Sequence, residues 1–156
     1  MDSQILIGLL LTVLPVFELR GGLPVIVEYT TRNGISIWPY FFIVLILNIL
    51  VIFLIFIFFD FVHEALMRVR WYRVAVGRVL KRLQKKVDKI EIKMDDWGYF
   101  ALMFFVAIPL PGTGAWTGVI AAWVLGLDRL KSFIAIALGV IVAGLLVLIF
   151  SLGVFH

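Results

Sequence analysis

Cysteine is absent from this chain, which excludes disulfides, thiolate metal sites and a cysteine nucleophile. Histidine is scarce: His63 and His156 lie far apart and suggest no metal cluster, and neither a metal nor a cofactor is expected. Charge is low as well, at 15% of residues, and from Ser132 to Phe155 there is none. No nucleophile with its base, no phosphate-binding glycine loop and no calcium loop is present, so an enzyme is not expected. What fills the chain is apolar. Such residues make up 63% of 156, against about 45–50% in soluble domains. The sequence therefore reads as an all-α integral membrane protein.

The net charge of +4 is not a nucleic-acid signal, because ten of the fourteen basic residues fall between Arg68 and Lys93. That clustering reads as a cytoplasmic segment beside anionic membrane lipid. Over 60–98, Leu66, Val69, Val76, Leu80, Leu83, Val87 and Ile90 recur at steps of three, four or seven. This is the pattern of a long amphipathic helix with a basic face. A surface connector and a coiled-coil contact with another subunit both fit it. The N-terminus, Met1-Asp2-Ser3-Gln4, lacks the basic region of a cleaved signal peptide and is expected to stay attached.

The chain is organised around Glu18-Leu19-Arg20-Gly21-Gly22-Leu23-Pro24. Two opposite charges, paired glycines and a proline interrupt what is otherwise a membrane helix. Each charge at membrane depth costs roughly 2.5–3.5 kcal/mol on insertion scales, so ionisable groups there point to function. A second interruption, Pro109-Leu110-Pro111-Gly112-Thr113-Gly114-Ala115-Trp116-Thr117-Gly118, follows about ninety residues later. The helix is expected to break across both stretches.

Both halves read short apolar run, break, short apolar run, glycine-containing loop, long apolar span. Placing Pro15 on Pro109 puts Pro24 on Gly118, and a two-residue slip then puts Gly34 on Gly126. Two readings of each broken segment fit: a helix that spans, or a re-entrant hairpin leaving on the side it entered. With re-entrant segments the basic residues divide twelve against one across the membrane, excluding Arg20, and with spanning segments ten against three. The positive-inside rule favours the first. The expected fold is thus an inverted repeat of re-entrant helical hairpin plus transmembrane helix. The first repeat takes 1–59 (hairpin about 5–30, span about 37–59). The second takes 99–156 (hairpin about 99–126, span about 132–154), with the basic amphipathic helix between them.

Chemically, Glu18 is a candidate to carry a coupling proton, and Arg20 can grip a phosphate or carboxylate bidentately. Gly21, Gly22, Gly112 and Gly114 would let a ligand approach the backbone, with Pro24, Pro109 and Pro111 shaping the breaks. Thr113, Thr117 and Trp116 add hydroxyl and indole donors. Equally, Glu18 and Arg20 can neutralise each other as a structural pair, with the glycines serving only tight packing. Asn48 is more a packing residue than a ligand.

The motifs at 18–24 and 109–118 resemble the Putative small multidrug export protein family, over essentially the whole chain. More distantly, the apolar run ending at Pro109 and the stretch from Gly126 to Phe133 resemble the DedA superfamily. That resemblance implies opposed re-entrant hairpins and transport of a polyprenyl-phosphate or phospholipid, with Glu18 at the acidic position of the first hairpin. Where DedA proteins carry arginines near the second-hairpin proline, this chain has Val106 and Gly112, leaving Arg20 for an anionic headgroup. The resemblance implies a prokaryotic plasma-membrane protein. The leading expectation is a flippase-like transporter of lipid or small amphiphile, followed by a small multidrug exporter. A non-transporting scaffold that binds anionic lipid or a partner through the basic helix is the alternative of another class. A homodimer is expected, because one short chain supplies little protein to bury two hairpins.

Overall fold

The computed structural model describes residues 3–68, 74, 97–110 and 112–155, with the side chains of 63–67 left aside. Most of the basic amphipathic segment, and Pro111, lie outside the described residues. The described residues form the helices α1 (Ser3–Val13), α2 (Glu18–Arg32), α3 (Trp38–Met67), α4 (Trp97–Ala107), α5 (Ala115–Val124) and α6 (Arg129–Phe155). No strand occurs among the described residues.

Two of these helices are long and apolar enough to cross a membrane, over Trp38–Val62 and Arg129–Phe155. At 1.5 Å per residue they reach roughly 38 and 40 Å, against a hydrocarbon core of about 30 Å. They run antiparallel. Asp60 pairs with Arg129 at one end, while Gly144 lies against Leu45 and Phe41 further along. Phe42, Ile46, Leu50, Phe53, Ile57 and Phe61 form an exposed stripe down α3 at steps of three and four. A face of that kind suits lipid.

The short helices are α1, α4 and α5, of 10 or 11 residues each. α1 and α2 form an antiparallel hairpin in which small residues set the distance. A Cβ on Gly22 would strike the Thr12 hydroxyl and the Gly8 carbonyl, and one on Gly8 would strike Ile26. Backbones that approach this closely are how helices associate where lipid removes the hydrophobic incentive. Elsewhere on α2, Leu19, Leu23 and Val27 are buried in the core with Val44 and Ile52 of α3 and Ile136 and Val140 of α6. α4 and α5 close on α6 through Val106, which lies against Gly118 and Gly139.

The first break is not where Gly21, Gly22 and Pro24 suggest, whereas the second falls within the expected glycine- and proline-rich stretch. α2 is continuous through Gly21, Gly22 and Pro24, and the first interruption is Leu14–Phe17. Pro24 only removes the hydrogen bond that its missing N–H would give the Arg20 carbonyl. The second interruption is residues 108–114, so Trp116, Thr117 and Gly118 are helical. The first hairpin, expected to end near residue 30, runs on to Arg32, and the Thr30 hydroxyl bonds back to the Ile26 carbonyl at 2.9 Å.

Both hairpins end alike. Past α2, the N–H of Ile35 donates to the Thr30 carbonyl (2.9 Å) and that of Gly34 to Thr31 (3.4 Å). Past α5, Leu127 donates to Ala122 (3.0 Å) and Gly126 to Trp123 (3.1 Å). Gly34 and Gly126 have φ of +64° and +67°, so each helix closes in the same left-handed glycine turn.

Candidate functional site

Glu18 opens α2 and is 5% exposed. Its φ of +50° is a left-handed conformation that a non-glycine residue adopts at a cost of about 1–3 kcal/mol. The strain is offset by what the side chain reaches. Its two carboxylate oxygens accept hydrogen bonds from the N–H groups of Ala115 and Trp116, each at 3.1 Å. These are the first two N–H groups of α5, whose own N-cap, Gly114, contributes no side-chain acceptor. A carboxylate from the first hairpin thus caps a helix of the second, where free N–H groups and the helix dipole favour negative charge.

Gly114 is required for that approach, because a Cβ there would collide with the Glu18 carboxylate. Close approach to the glycine backbone was the expectation for a ligand. Here the chain's own carboxylate makes it.

Arg20, two residues further, does the opposite job. Its NH2 donates to the Val106 carbonyl (2.9 Å) in the last turn of α4 and to the Thr113 carbonyl (3.0 Å). Its NH1 donates to the Thr113 hydroxyl (3.0 Å) and to the Leu110 carbonyl. A cation therefore sits at the negative end of α4, over carbonyls of its last turn and of the interruption that follows. Of the three guanidinium nitrogens of Arg20 it is Nε that lacks a hydrogen bond, as does the buried indole Nε1 of Trp116. The Thr113 hydroxyl donates in turn to the Ile108 carbonyl (2.7 Å), which fixes the loop under the guanidinium.

The two charges form no ion pair with each other. Ion pairs among the described residues are Glu28–Arg32 (3.6 Å) and Asp60–Arg129. Glu18 and Arg20 reach past one another to opposite helix ends of the same interrupted segment. The tips of both hairpins frame a cleft of about 230 Å³ lined by Glu18, Arg20 and Gly21 on one side and Pro109, Gly112, Gly114 and Thr117 on the other.

Of the other residues singled out from sequence, Thr113 and Trp116 touch the charged groups directly. Gly22 lies on the α1–α2 contact instead, and Pro24 is half-buried within α2, outside the cleft lining. Pro15, Val16, Phe17 and Leu110 complete the lining. They carry no charge or donor that would have marked them. Asn48 is 1% exposed and ties α3 to the hairpin, its Nδ2 donating to the carbonyls of Thr12 (3.4 Å) and Val44 (3.3 Å). Among the described residues no three of His, Asp and Glu come together as a metal site would need.

Compared with known proteins, the chain finds no match among curated proteins or solved structures. Residues 18–146 match the family described as "Putative small multi-drug export protein", a stretch that opens on Glu18 and takes in α2 through most of α6. A match over most of the chain, carrying the second interruption and both charged residues, establishes that the protein belongs to this family.

Proposed function

We propose that the protein is a membrane exporter of small amphiphilic cations, working in exchange for protons at Glu18. The observation that carries this is the unequal use of the two charges. Ionised Glu18 offers about four lone-pair sites and spends two on Ala115 and Trp116, so acceptor capacity remains toward the cleft. Arg20 has five N–H donors and spends four on main chain and Thr113. The fork that would grip a phosphate is turned onto carbonyls, so a lipid-phosphate flippase of DedA type has the weaker geometric support. A cation at Glu18 fits the family's name, which speaks of drug export.

A proton and a cation compete for one carboxylate. Protonation removes its charge and turns one carboxyl oxygen into a donor, loosening Glu18 from α5. Loss of the proton restores both the cap and the counter-ion. Because Glu18 joins the two hairpins, its charge state can alter how their tips meet.

The re-entrant, inverted arrangement is part of this reading. The Tyr99 hydroxyl accepts from the Asp128 N–H (3.2 Å), bringing the start of α4 beside the exit of α5. Asp60–Arg129 brings the end of α3 to the same side. Short helices of 10 or 11 residues, about half the thickness of a bilayer core, also favour hairpins that turn back. The matched glycine turns after α2 and α5 favour a repeat. On this arrangement Arg129 and Lys131 share the side of the basic 68–93 segment, which supports a cytoplasmic location for it.

The test is proton flux in vesicles loaded with a pH-sensitive dye. Wild-type protein should exchange dodecyltrimethylammonium for protons, and Glu18→Gln should lose the exchange while eluting as a folded protein. Equal exchange by the variant would remove Glu18 from the mechanism.

A further inference from the structure

We infer that the cleft opens sideways into the bilayer, admitting from there only the cationic head of an amphiphile while its apolar tail stays in lipid. This rests on the export reading for the identity of the head and on geometry alone for the opening.

Depth comes first. Arg20 bonds the carbonyl of Val106, and Val106 lies against Gly139, three residues from the midpoint of the apolar helix α6. On the other side of the fold Thr12, at the end of α1, meets Asn48, two residues from the midpoint of the Trp38–Val62 span. Both hairpin tips therefore lie near the middle of the two long helices.

Next is the rim. Val16 is 85% exposed, Leu110 55% and Phe17 48%, and all three line the cleft. Leu14 and Ile108, both about half exposed, extend the same apolar border. A valine that open stands on the outer surface and not within a crevice. At mid-depth the outer surface meets hydrocarbon, and a mouth filled by water would carry polar side chains at its lip.

Size completes the argument. Pockets that enclose drug-sized ligands run roughly 300–1,000 Å³. At about 230 Å³ this one holds a compact headgroup beside Glu18 and leaves an attached chain outside, against Val16, Phe17 and Leu110.

The absence of cysteine makes the test direct. Val16→Cys is spin-labelled in vesicles, with Ile46→Cys on the exposed stripe of α3 as the lipid reference, and collisions are measured with oxygen and with a water-soluble nickel chelate. The label at Val16 should behave as at Ile46, with oxygen collisions several-fold more frequent than nickel collisions. Dominant nickel collisions would mean a water-filled vestibule and would overturn the proposal. Protection from both reagents would mean that a second copy covers the mouth, which overturns it equally. The measurement uses no substrate, so it stands or falls separately from transport. The tail is tested by tetramethylammonium, which carries the same head: exchange as fast as with dodecyltrimethylammonium would overturn that part.

Discussion

The Glu18 carboxylate and the Gly114 backbone occupy positions that exclude any side chain between them. Across ninety-six positions of sequence, one hairpin supplies the cap that a helix of the other lacks. Arg20 supplies the complementary cap to α4, so the centre of the fold is held by charge matched to helix ends.

Gly114→Ala should therefore imitate the loss of Glu18 without touching it. The new methyl group displaces the carboxylate from Ala115 and Trp116, leaving N–H groups unsatisfied at a cost of about 1–3 kcal/mol each. Thermal unfolding in detergent should fall by several degrees and cation–proton exchange should be lost. Full activity in Gly114→Ala would show that the contact is incidental.

Arg20→Lys should be far from conservative. A lysine has three donors on one nitrogen and cannot cover carbonyls of both Val106 and Leu110 with the Thr113 pair. A loss of about 2–3 kcal/mol is expected, with Arg20→Met worse. A denaturation series in one detergent orders the three proteins.

At the α1–α2 contact, Gly22→Ala should cost about 1–3 kcal/mol by overpacking, since the added atom meets backbone of α1. Gly98→Ala, with open space around it inside α4, should be neutral or slightly stabilising. Reversal of that order would mean that α1 and α2 do not pack as described.

Asp60→Asn removes the partner of Arg129 at the end of α3, where both side chains reach solvent. Partly exposed pairs contribute about 0–1 kcal/mol, so unfolding should shift little and salt should erase the difference.

The long helices were legible because their apolar runs exceed what a soluble helix needs, and Glu18 and Arg20 because charge at such depth requires a reason. The position of the first break was not. Gly21, Gly22 and Pro24 have poor helix propensity, yet α2 passes through them, since close packing of Gly22 on α1 outweighs what propensity costs. Nor could the sequence tell that Glu18 faces Ala115 and Trp116 while Arg20 faces Val106, Leu110 and Thr113. Local composition at 18–24 offers the two charges to each other as readily as to a helix end ninety residues away. That choice is made by how the hairpins pack.

Proton release on cation binding tests the central claim most directly. Dodecyltrimethylammonium added to purified protein in weak buffer should release up to about one proton per chain, most at pH below the point at which Glu18 of the free protein is half ionised and until protons outcompete the cation. Glu18→Gln should release none. Cation binding to wild type without any proton release, across the range from acid to neutral pH, would contradict competition at Glu18 and the exchange mechanism built on it.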